Sequence, residues 1–258
     1  MGILEGKKAL ILGVANNQSI AYGIAKVFHR EGAKLAFGVA QDFLVDLVKV
    51  LVKDLDSDLV FKCDLTKDED ILNLKEKIKE NFGDLDILVH SVAFAPKETF
   101  SQPVSKIQRE SFKIALDVSV YSLLALVREF LSLMEKKQGA ILTLSYYGSE
   151  KVIPNYNLMG LAKASLEAAV KYLAFEIGKE GLRINCISPG PVKTLAASAI
   201  PGFDVLYKKC QEISPLRKNV SLEDIGNLAA FLCSDLAKSI TGEIIYIDAG
   251  YHILGFFE

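Results

Sequence analysis

The hydrophobic residues of this chain fall into short apolar runs that alternate with longer amphipathic stretches. The short runs are rich in branched side chains and have the length of buried strands. They predict strands at Ala9–Gly13, Lys34–Gly38, Leu59–Cys63, Ile87–Ser91, Ala140–Ser145, Arg183–Ser188 and Glu243–Asp248. The amphipathic stretches predict helices at Ile20–Glu31, Asp42–Lys53, Asp68–Phe82, Ile107–Lys136, Leu158–Lys179 and Ser221–Ser234.

Short apolar strands that alternate with helices are typical of a parallel sheet covered on both faces. No Pro- or Ser-rich linker and no shift in composition divides the chain. We therefore predict a single α/β domain over residues 1–258, with a Rossmann-like, doubly wound parallel sheet of about seven strands. The span Pro189–Pro215 lacks strand signal, and we expect it to lie outside the core as a partly helical excursion.

Composition argues against several classes of function. Half of the residues are hydrophobic and the formal net charge is −2, so no basic excess is available for nucleic acid or a membrane surface. No apolar run reaches the length of a membrane span, and the first residues lack the apolar stretch of a signal peptide. The four cysteines are far apart and lack metal-ligand spacing, so we expect reduced thiols, no metal and a cytoplasmic location.

The most informative chemistry lies at Tyr156 and Lys163, seven residues apart at the start of an Ala-rich helical stretch. This spacing places both side chains on one helix face, about two turns apart. The tyrosine can donate a hydrogen bond to a substrate oxygen that gains negative charge, while the lysine adds a positive field and can hold a cofactor ribose. Taken alone, the pair fits a surface tyrosine and a solvated lysine equally well.

The end of the first strand has features of a phosphate-binding turn. Gly13 lets the backbone approach a pyrophosphate, Ser19 offers a hydroxyl, and Gly23 allows the following helix to pack closely. The usual three-glycine fingerprint is absent, because the spacing is Gly-x5-Ser-x3-Gly. By itself this segment fits an ordinary strand-to-helix turn as well as a cofactor site.

Three other strand ends carry matching chemistry. Asp64 can accept from an adenine amino group beside the Leu65 amide, and Ser91 and Val92 are small enough for backbone to run along a ribose. The end of the sixth strand, with Val192 and Thr194, can grip a nicotinamide carboxamide. Because ligands bind at the carboxyl ends of such sheets, the four ends together predict a dinucleotide site.

The coenzyme preference follows from Gly38–Asp42, which would reach the adenosine ribose. This segment, which includes Ala40 and Gln41, has no Arg or Lys to meet a 2′-phosphate. The sequence therefore favours NADH over NADPH as cofactor.

Almost the whole chain resembles the short-chain dehydrogenase/reductase superfamily and, more closely, its bacterial NADH-dependent enoyl-[acyl-carrier-protein] reductases. Six residues between the active tyrosine and lysine, rather than three, are the mark of that family. The segments that carry the resemblance are Gly13–Gly23, His90–Pro96, Leu142–Tyr146, Ile153–Lys163, Gly190–Ser198 and Phe231–Asp235.

The resemblance implies roles for individual residues. Tyr156 would be the catalytic tyrosine, Lys163 the ribose-binding lysine, Tyr146 the second active-site tyrosine, and the Ala95 backbone would meet the acyl substrate. It also implies a homotetramer acting on a fatty acyl chain carried by acyl carrier protein. The implied NADH-lining residues are Gly13, Ser19, Ile20, Asp64, Leu65, Val92, Lys163, Val192, Thr194, Leu195 and Ala196.

The excursion at residues 194–210 is interpreted, mainly on the resemblance, as a lid that closes over an aliphatic chain. An ordinary amphipathic helix after the sixth strand is the alternative. Lys193, Lys208 and Lys209 are candidates for docking the carrier protein, although a solvated face explains them equally well. The predicted apolar lining consists of Tyr146, Met159, Ile200, Phe203 and Leu206.

Two positions depart from the family pattern. Val39 and Ala40 stand where the NADH-using relatives carry Tyr-Gln, so Gln41 has shifted by one position or the contact is made differently. Tyr147 follows Tyr146 where an aliphatic residue is expected, and its ring is a candidate for packing alone.

Two other functions compete with enoyl reduction. One is a ketone reductase of the same superfamily, against which the six-residue spacing and Tyr146 argue. The other is an NADH-binding sensor or scaffold without catalysis, which retention of Tyr156, Lys163, Ser91 and a lid argues against. Finally, the end of the chain, Ile244–Glu258, is apolar, and we expect it to be buried in a subunit interface.

Overall fold

A computed structural model describes residues 2–255 and contains one parallel sheet of seven strands. The spatial order is β3-β2-β1-β4-β5-β6-β7, so the predicted doubly wound fold is confirmed. Each predicted strand is present, and no end differs from its prediction by more than one residue. The strands are β1 (Lys8–Leu12), β2 (Lys34–Val39), β3 (Val60–Lys62), β4 (Ile87–His90), β5 (Ala140–Leu144), β6 (Arg183–Pro189) and β7 (Ile244–Ile247).

The helices cover both faces of this sheet. The predicted helix at Ile107–Lys136 is confirmed as an unbroken helical stretch that begins at Arg109, with a π-helical turn at Asp117–Tyr121 between two α-helices. The α-helices are α1 (Ile20–Arg30), α2 (Asp42–Val52), α3 (Asp68–Phe82), α4 (Arg109–Leu116), α5 (Ser122–Met134), α6 (Asn157–Ile177), α7 (Leu195–Ser198), α8 (Phe203–Ile213) and α9 (Leu222–Cys233).

The strand order creates a switch point between β1 and β4. From β1 the chain proceeds to β2 and β3 on one side, and later from β4 to β7 on the other. The register pairs Leu12 with Gly38 on one neighbour and with His90 on the other, so the three strands end level with one another. In sheets of this kind the crevice at the switch point is where ligands bind.

Apolar side chains from both faces of the sheet form separate cores. Ile11, Phe28 and Phe37 belong to the core under α1, α2 and α9, whereas Leu10 and Phe130 belong to the core under α3, α5 and α6. Burial on both faces explains why the strands appear in the sequence as apolar runs without alternation. Within residues 2–255, no helix is both long and apolar enough to span a bilayer.

The π-helical turn anchors the loop that follows β4. Ser119 Oγ donates to the carbonyl of Phe94 at 3.1 Å and accepts from its amide at 3.0 Å. One turn later, Ser122 Oγ lies 2.8 Å from Nε2 of His90, whose Nδ1 is 2.9 Å from Thr143 Oγ1. These contacts fix the carboxyl end of β4 to the helix layer behind it.

The excursion after β6 contains α7 and α8, in agreement with its partly helical prediction. The apolar end of the chain is described as far as Gly255, and residues 256–258 lie outside the described part. Before that point Tyr251 is buried, while Ile253 is 68 % exposed in the single chain. The predicted burial of the last residues therefore stays a prediction.

Helices α1 and α9 cross at two glycines. A Cβ atom on Gly226 would lie 2.5 Å from Cγ2 of Val27 and 2.9 Å from the carbonyl oxygen of Gly23. A Cβ atom on Gly23 would lie 2.6 Å from Cβ of Leu222. Contacts this short are never tolerated by real side chains, so the two helices approach each other because both positions lack one.

We expect Gly226→Ala to lower the free energy of unfolding by about 1–3 kcal/mol, because the added methyl group forces α1 and α9 apart. Urea unfolding followed by circular dichroism measures this. Gly178→Ala is the matched control: a Cβ there meets no atom within 4 Å and the backbone is already helical, so stability should stay equal or rise slightly. Equal stability of the two variants would contradict the close helix contact.

Candidate active site

Tyr156 precedes the first residue of α6 and lies between two asparagines in the left-handed region. Asn155, at φ +64°, donates from Nδ2 to the carbonyl of Pro201 at 2.9 Å. Asn157, at φ +31°, donates from Nδ2 to the carbonyl of Gln102 at 2.8 Å. The backbone at Tyr156 is therefore tied to the excursion on one side and to the loop after β4 on the other.

The phenol rings of Tyr146 and Tyr156 contact each other edge to face, with centroids 4.9 Å apart and planes inclined by 70°. Gly148 makes room for this pair, since a Cβ there would lie 2.5 Å from Cδ1 of Tyr156. Burial raises the pKa of both hydroxyls, so both stay protonated and able to donate at neutral pH. The Tyr146 hydroxyl is buried and has no hydrogen-bond partner among residues 2–255.

Lys163 lies two turns after Tyr156 on α6 and is 6 % exposed. Its Nζ donates to the carbonyl of Leu144, the last residue of β5, at 2.6 Å. Burial lowers the pKa of this ammonium to about 8, against the opposing influence of Cys186 and Glu167. The predicted tyrosine–lysine pair thus lies in the interior, not on a solvated helix face.

Glu167, which no sequence motif marked as part of the site, is buried one turn after Lys163. Its Oε1 accepts from Ser149 Oγ at 2.6 Å and also from Ser145 Oγ. These two serines flank Tyr146. The four-residue spacing from Lys163 was the available signal, but an acidic residue on a long helix is usually solvated.

The switch point has the geometry of a nucleotide cradle. Gly13 follows β1 at φ +105°, and a Cβ on it would lie 2.1 Å from the carbonyl oxygen of Ser91. Ser19 Oγ accepts from the amides of Ala15 and Asn16, both at 3.1 Å, which closes the loop before α1. The first turn of α1, beginning at Ile20, leaves backbone N–H groups facing this crevice.

Asp64, after β3, is held in a defined orientation. Its Oδ1 accepts from the Thr66 hydroxyl at 2.7 Å and from the Thr66 amide at 3.1 Å, and its own amide donates to Asp70. Burial alone would raise the pKa of this carboxyl, but the bonds from Thr66 outweigh it and the pKa is lowered. The adjacent Leu65 is buried, whereas the side chain of Asp64 is 31 % exposed.

The segment Gly38–Asp42, which the sequence places at the cofactor ribose, carries no Arg or Lys. Ala40 and Gln41 are exposed directly after β2. Lys62 at the end of β3, which the sequence analysis did not consider, is ion-paired with Asp70. That ion pair raises the pKa of Lys62 and leaves its charge already balanced by a carboxylate. The lysine is therefore a poor partner for a 2′-phosphate, in agreement with the preference for NADH.

The end of β6 contributes a mixture of buried and exposed residues. Val192 is half-buried against the core, and Thr194 Oγ1 accepts from the Ala197 amide at 3.0 Å, which caps α7. Leu195 is 68 % exposed and Ala196 is also exposed. This segment therefore presents side chains and amides beside the crevice without being part of the core.

An apolar cluster adjoins the two tyrosines. Ala95 and Met159 are buried in it, and Ile200 and Leu206 of the excursion pack against it. Phe203 does not belong to this cluster, because its ring packs on Tyr207 at a centroid distance of 6.0 Å. Four of the five predicted lining residues, counting Tyr146, thus surround Tyr156 in this structure.

Tyr147 is a packing residue in this structure. It is buried, its hydroxyl donates to the carbonyl of His252 at 3.1 Å, and its ring contacts Tyr246 and Tyr251 edge to face. It therefore packs against residues near the end of the described chain, within the same apolar cluster as Tyr156.

The site can polarise a substrate oxygen and hold a dinucleotide beside it. Two protonated phenols in ring contact adjoin an apolar cluster, and one buried ammonium lies two turns along α6 from Tyr156. No group of three or more His, Cys, Asp and Glu residues within residues 2–255 has the arrangement of a metal site. This chemistry suits hydride transfer to a substrate whose oxygen becomes negative.

Comparisons with known proteins agree with this geometry. A family model described as "Enoyl-(Acyl carrier protein) reductase" matches residues 13–252. The enoyl-[acyl-carrier-protein] reductase [NADH] of Aquifex aeolicus is 60 % identical over 257 residues, covering all of this chain and 95 % of that protein. Its crystal structure superimposes with a TM-score of 0.97, covering 99 % of this chain and all of that one.

Two more distant structures show different bound nucleotides. The Anaplasma phagocytophilum reductase, in complex with NAD, is 40 % identical with a TM-score of 0.96 and covers the whole chain and 98 % of its own. The Bacillus cereus reductase, with NADP⁺ and indole naphthyridinone, is 43 % identical with a TM-score of 0.97, covering 99 % of this chain and all of that one. By sequence, fold and site, the chain belongs to the enoyl-(acyl carrier protein) reductase family.

Proposed function

We propose that this chain is an NADH-dependent enoyl-[acyl-carrier-protein] reductase that saturates trans-2-enoyl thioesters in fatty acid synthesis. The observation that carries the proposal is the buried group of Tyr156, Lys163 and Tyr146 beside a nucleotide cradle and an apolar slot. Full-length relatives that are 47–60 % identical are named as reductases of this kind.

The cradle fits NADH on the chain's own geometry. Gly13 lets the turn after β1 lie directly against the Ser91 backbone, where a Cβ would clash, and Asp64 presents an oriented acceptor for an adenine amino group. The same edge carries the other proposed contacts, from Ser19, Ile20, Ala40, Gln41, Leu65, Ser91, Val92, Lys163, Val192, Thr194, Leu195 and Ala196. When bound, NADH supplies the hydride that is added to the β-carbon of the substrate.

Tyr156 acts on the thioester oxygen. As the β-carbon is reduced, negative charge develops on that oxygen, and the protonated phenol donates a hydrogen bond to it. Lys163 holds the ribose of the cofactor through its remaining N–H groups, because one of them is already bound to Leu144. Its positive charge also stabilises the anion. Protonation of the α-carbon then completes the saturation.

Tyr146 shapes the slot in which the acyl chain lies. Its ring supports that of Tyr156, and its buried hydroxyl has no partner among residues 2–255, so a polar group of the substrate is its natural acceptor. The Ala95 backbone, with Met159, Ile200 and Leu206, completes the slot, and residues 194–210 form its lid. Phe203, the first residue of α8, is the remaining proposed lining residue.

The substrate arrives on an acyl carrier protein, and three lysines around α8 are the proposed docking residues. Lys193 lies over the ring of Tyr207 at 4.8 Å, and exposed Lys208 is 4.0 Å from Glu212. Lys209 follows on the same helix. Long basic side chains here would guide an acidic carrier towards the lid.

We further propose a cytoplasmic homotetramer. Tyr172 and Phe175 of α6 are 79 % and 90 % exposed, and Tyr121 and Leu124 beside it on the helix layer are also exposed. Aromatic residues this exposed normally mark a protein interface, and a second copy of the chain is the proposed partner. The four free, buried cysteines agree with a reducing compartment.

The direct test measures nicotinamide absorbance with purified protein and a medium-length trans-2-enoyl thioester. We expect rapid oxidation of NADH and much slower oxidation of NADPH, because Lys62 is already paired with Asp70. Faster use of NADPH would contradict the coenzyme preference. Reduction of a 3-ketoacyl thioester but not of the enoyl thioester would instead support the ketone reductase.

Substitutions separate the two proposed catalytic roles. Tyr156→Phe should lower kcat on the order of 10²–10³-fold and leave the Kd of NADH nearly unchanged, because only a hydrogen bond to the developing anion is lost. Lys163→Ala should raise the Kd of NADH as well. Fluorescence titration of NADH alone distinguishes them, and normal NADH binding by Lys163→Ala would rule out its ribose contact.

The oligomer is tested by sedimentation equilibrium. Phe175→Glu should convert the tetramer to smaller species, because it buries a charge in the proposed interface. Val50→Glu is the matched control, since Val50 is 79 % exposed on α2, away from α6, and its replacement should leave the mass unchanged. A wild-type monomer would contradict the proposal directly.

A further inference from the structure

The buried acid beneath the active site has no part in the chemistry described so far. Glu167 is 8 % exposed, and a carboxylate so far from water must offset a large desolvation cost. Its described partners are two serine hydroxyls, and it lies one helical turn from Lys163. If this residue served only to stabilise the fold, an apolar side chain of similar size would do so at least as well.

The two hydroxyls join Glu167 to the segment that carries Tyr146. Ser145 immediately follows β5 and Ser149 ends the short 3₁₀ turn after it, so the acid holds both ends of this connection. Lys163 is bound to the same connection through the carbonyl of Leu144. One carboxylate thus holds the tyrosine segment and lies one helical turn from Lys163 on α6.

The charge of Glu167 also affects the protonation of Lys163, because the other titratable groups around that lysine are neutral. His90 on β4 has its pKa lowered to about 3 by burial, and Cys186 on β6 has its pKa raised to about 12 by burial. Burial also raises the pKa of Tyr156. All three are neutral at pH 7, so Glu167 supplies the negative charge that opposes the loss of the Lys163 proton.

We propose that Glu167 is a positioning residue that keeps Lys163 cationic and holds the Ser145–Ser149 segment, with Tyr146, against the slot. It contacts neither substrate nor cofactor and acts through these neighbours. The inference rests on the proposed ribose-binding role of Lys163.

The test compares the pH dependence of NADH binding in wild type, Glu167→Gln and Glu176→Gln. In wild type we expect the Kd of NADH to rise above about pH 8, where Lys163 loses its proton. Glu167→Gln removes the opposing charge and should move this rise about one pH unit lower. Glu176→Gln makes the same change at an exposed position of α6 and should match wild type.

Ser145→Ala keeps the test decisive if Glu167→Gln does not fold. This variant keeps the charge of Glu167 but removes the hydrogen bond from Ser145. The pH at which the Kd of NADH rises should therefore stay unchanged, while kcat falls about tenfold. An unmoved rise in folded Glu167→Gln, or an unchanged kcat in Ser145→Ala, would overturn the inference. If the Kd of NADH for the wild-type protein does not rise up to pH 9.5, both the ribose-binding role of Lys163 and the inference about Glu167 are wrong.

Discussion

The architecture of this protein depends on keeping a charged lysine in a place that is almost dry. Burial favours the neutral form of Lys163, so the surrounding fold has to supply a carbonyl from β5 and a carboxylate from α6. The carbonyl reaches Lys163 because α6 lies beside the end of β5, and the carboxylate is one turn further along α6. The position of Tyr156, at the start of the same helix, follows from this packing, as does the place of the slot.

Sequence patterns predicted the sheet well because its strands are buried on both faces. Runs of apolar residues then mark each strand, and the errors are confined to ends. The long helix within Ile107–Lys136 was predicted as well, but its π-helical turn was not, because such a turn keeps helical periodicity on both sides and leaves no mark in composition.

Side chains at the site were predictable where a strand end or a motif fixed them. Gly13, Asp64 and Tyr156 lie where their spacing indicated. Phe203 packs its ring against its helix neighbour Tyr207, and its predicted place in the substrate lining stays a prediction. Glu167 was missed because burial of an acid depends on hydroxyls far away in the sequence, which no local pattern reveals.

The π-helical turn also has a consequence for how this protein tolerates changes in length. Such a turn carries one residue more than an α-helical path between the same points, and each residue rotates a helix by about 100°. Deleting a residue within Asp117–Tyr121 would restore a regular helix and swing α4 round its axis relative to α5. Ser119 would then turn away from Phe94. Insertions and deletions accumulated over evolutionary time should therefore spare this short segment while neighbouring loops vary.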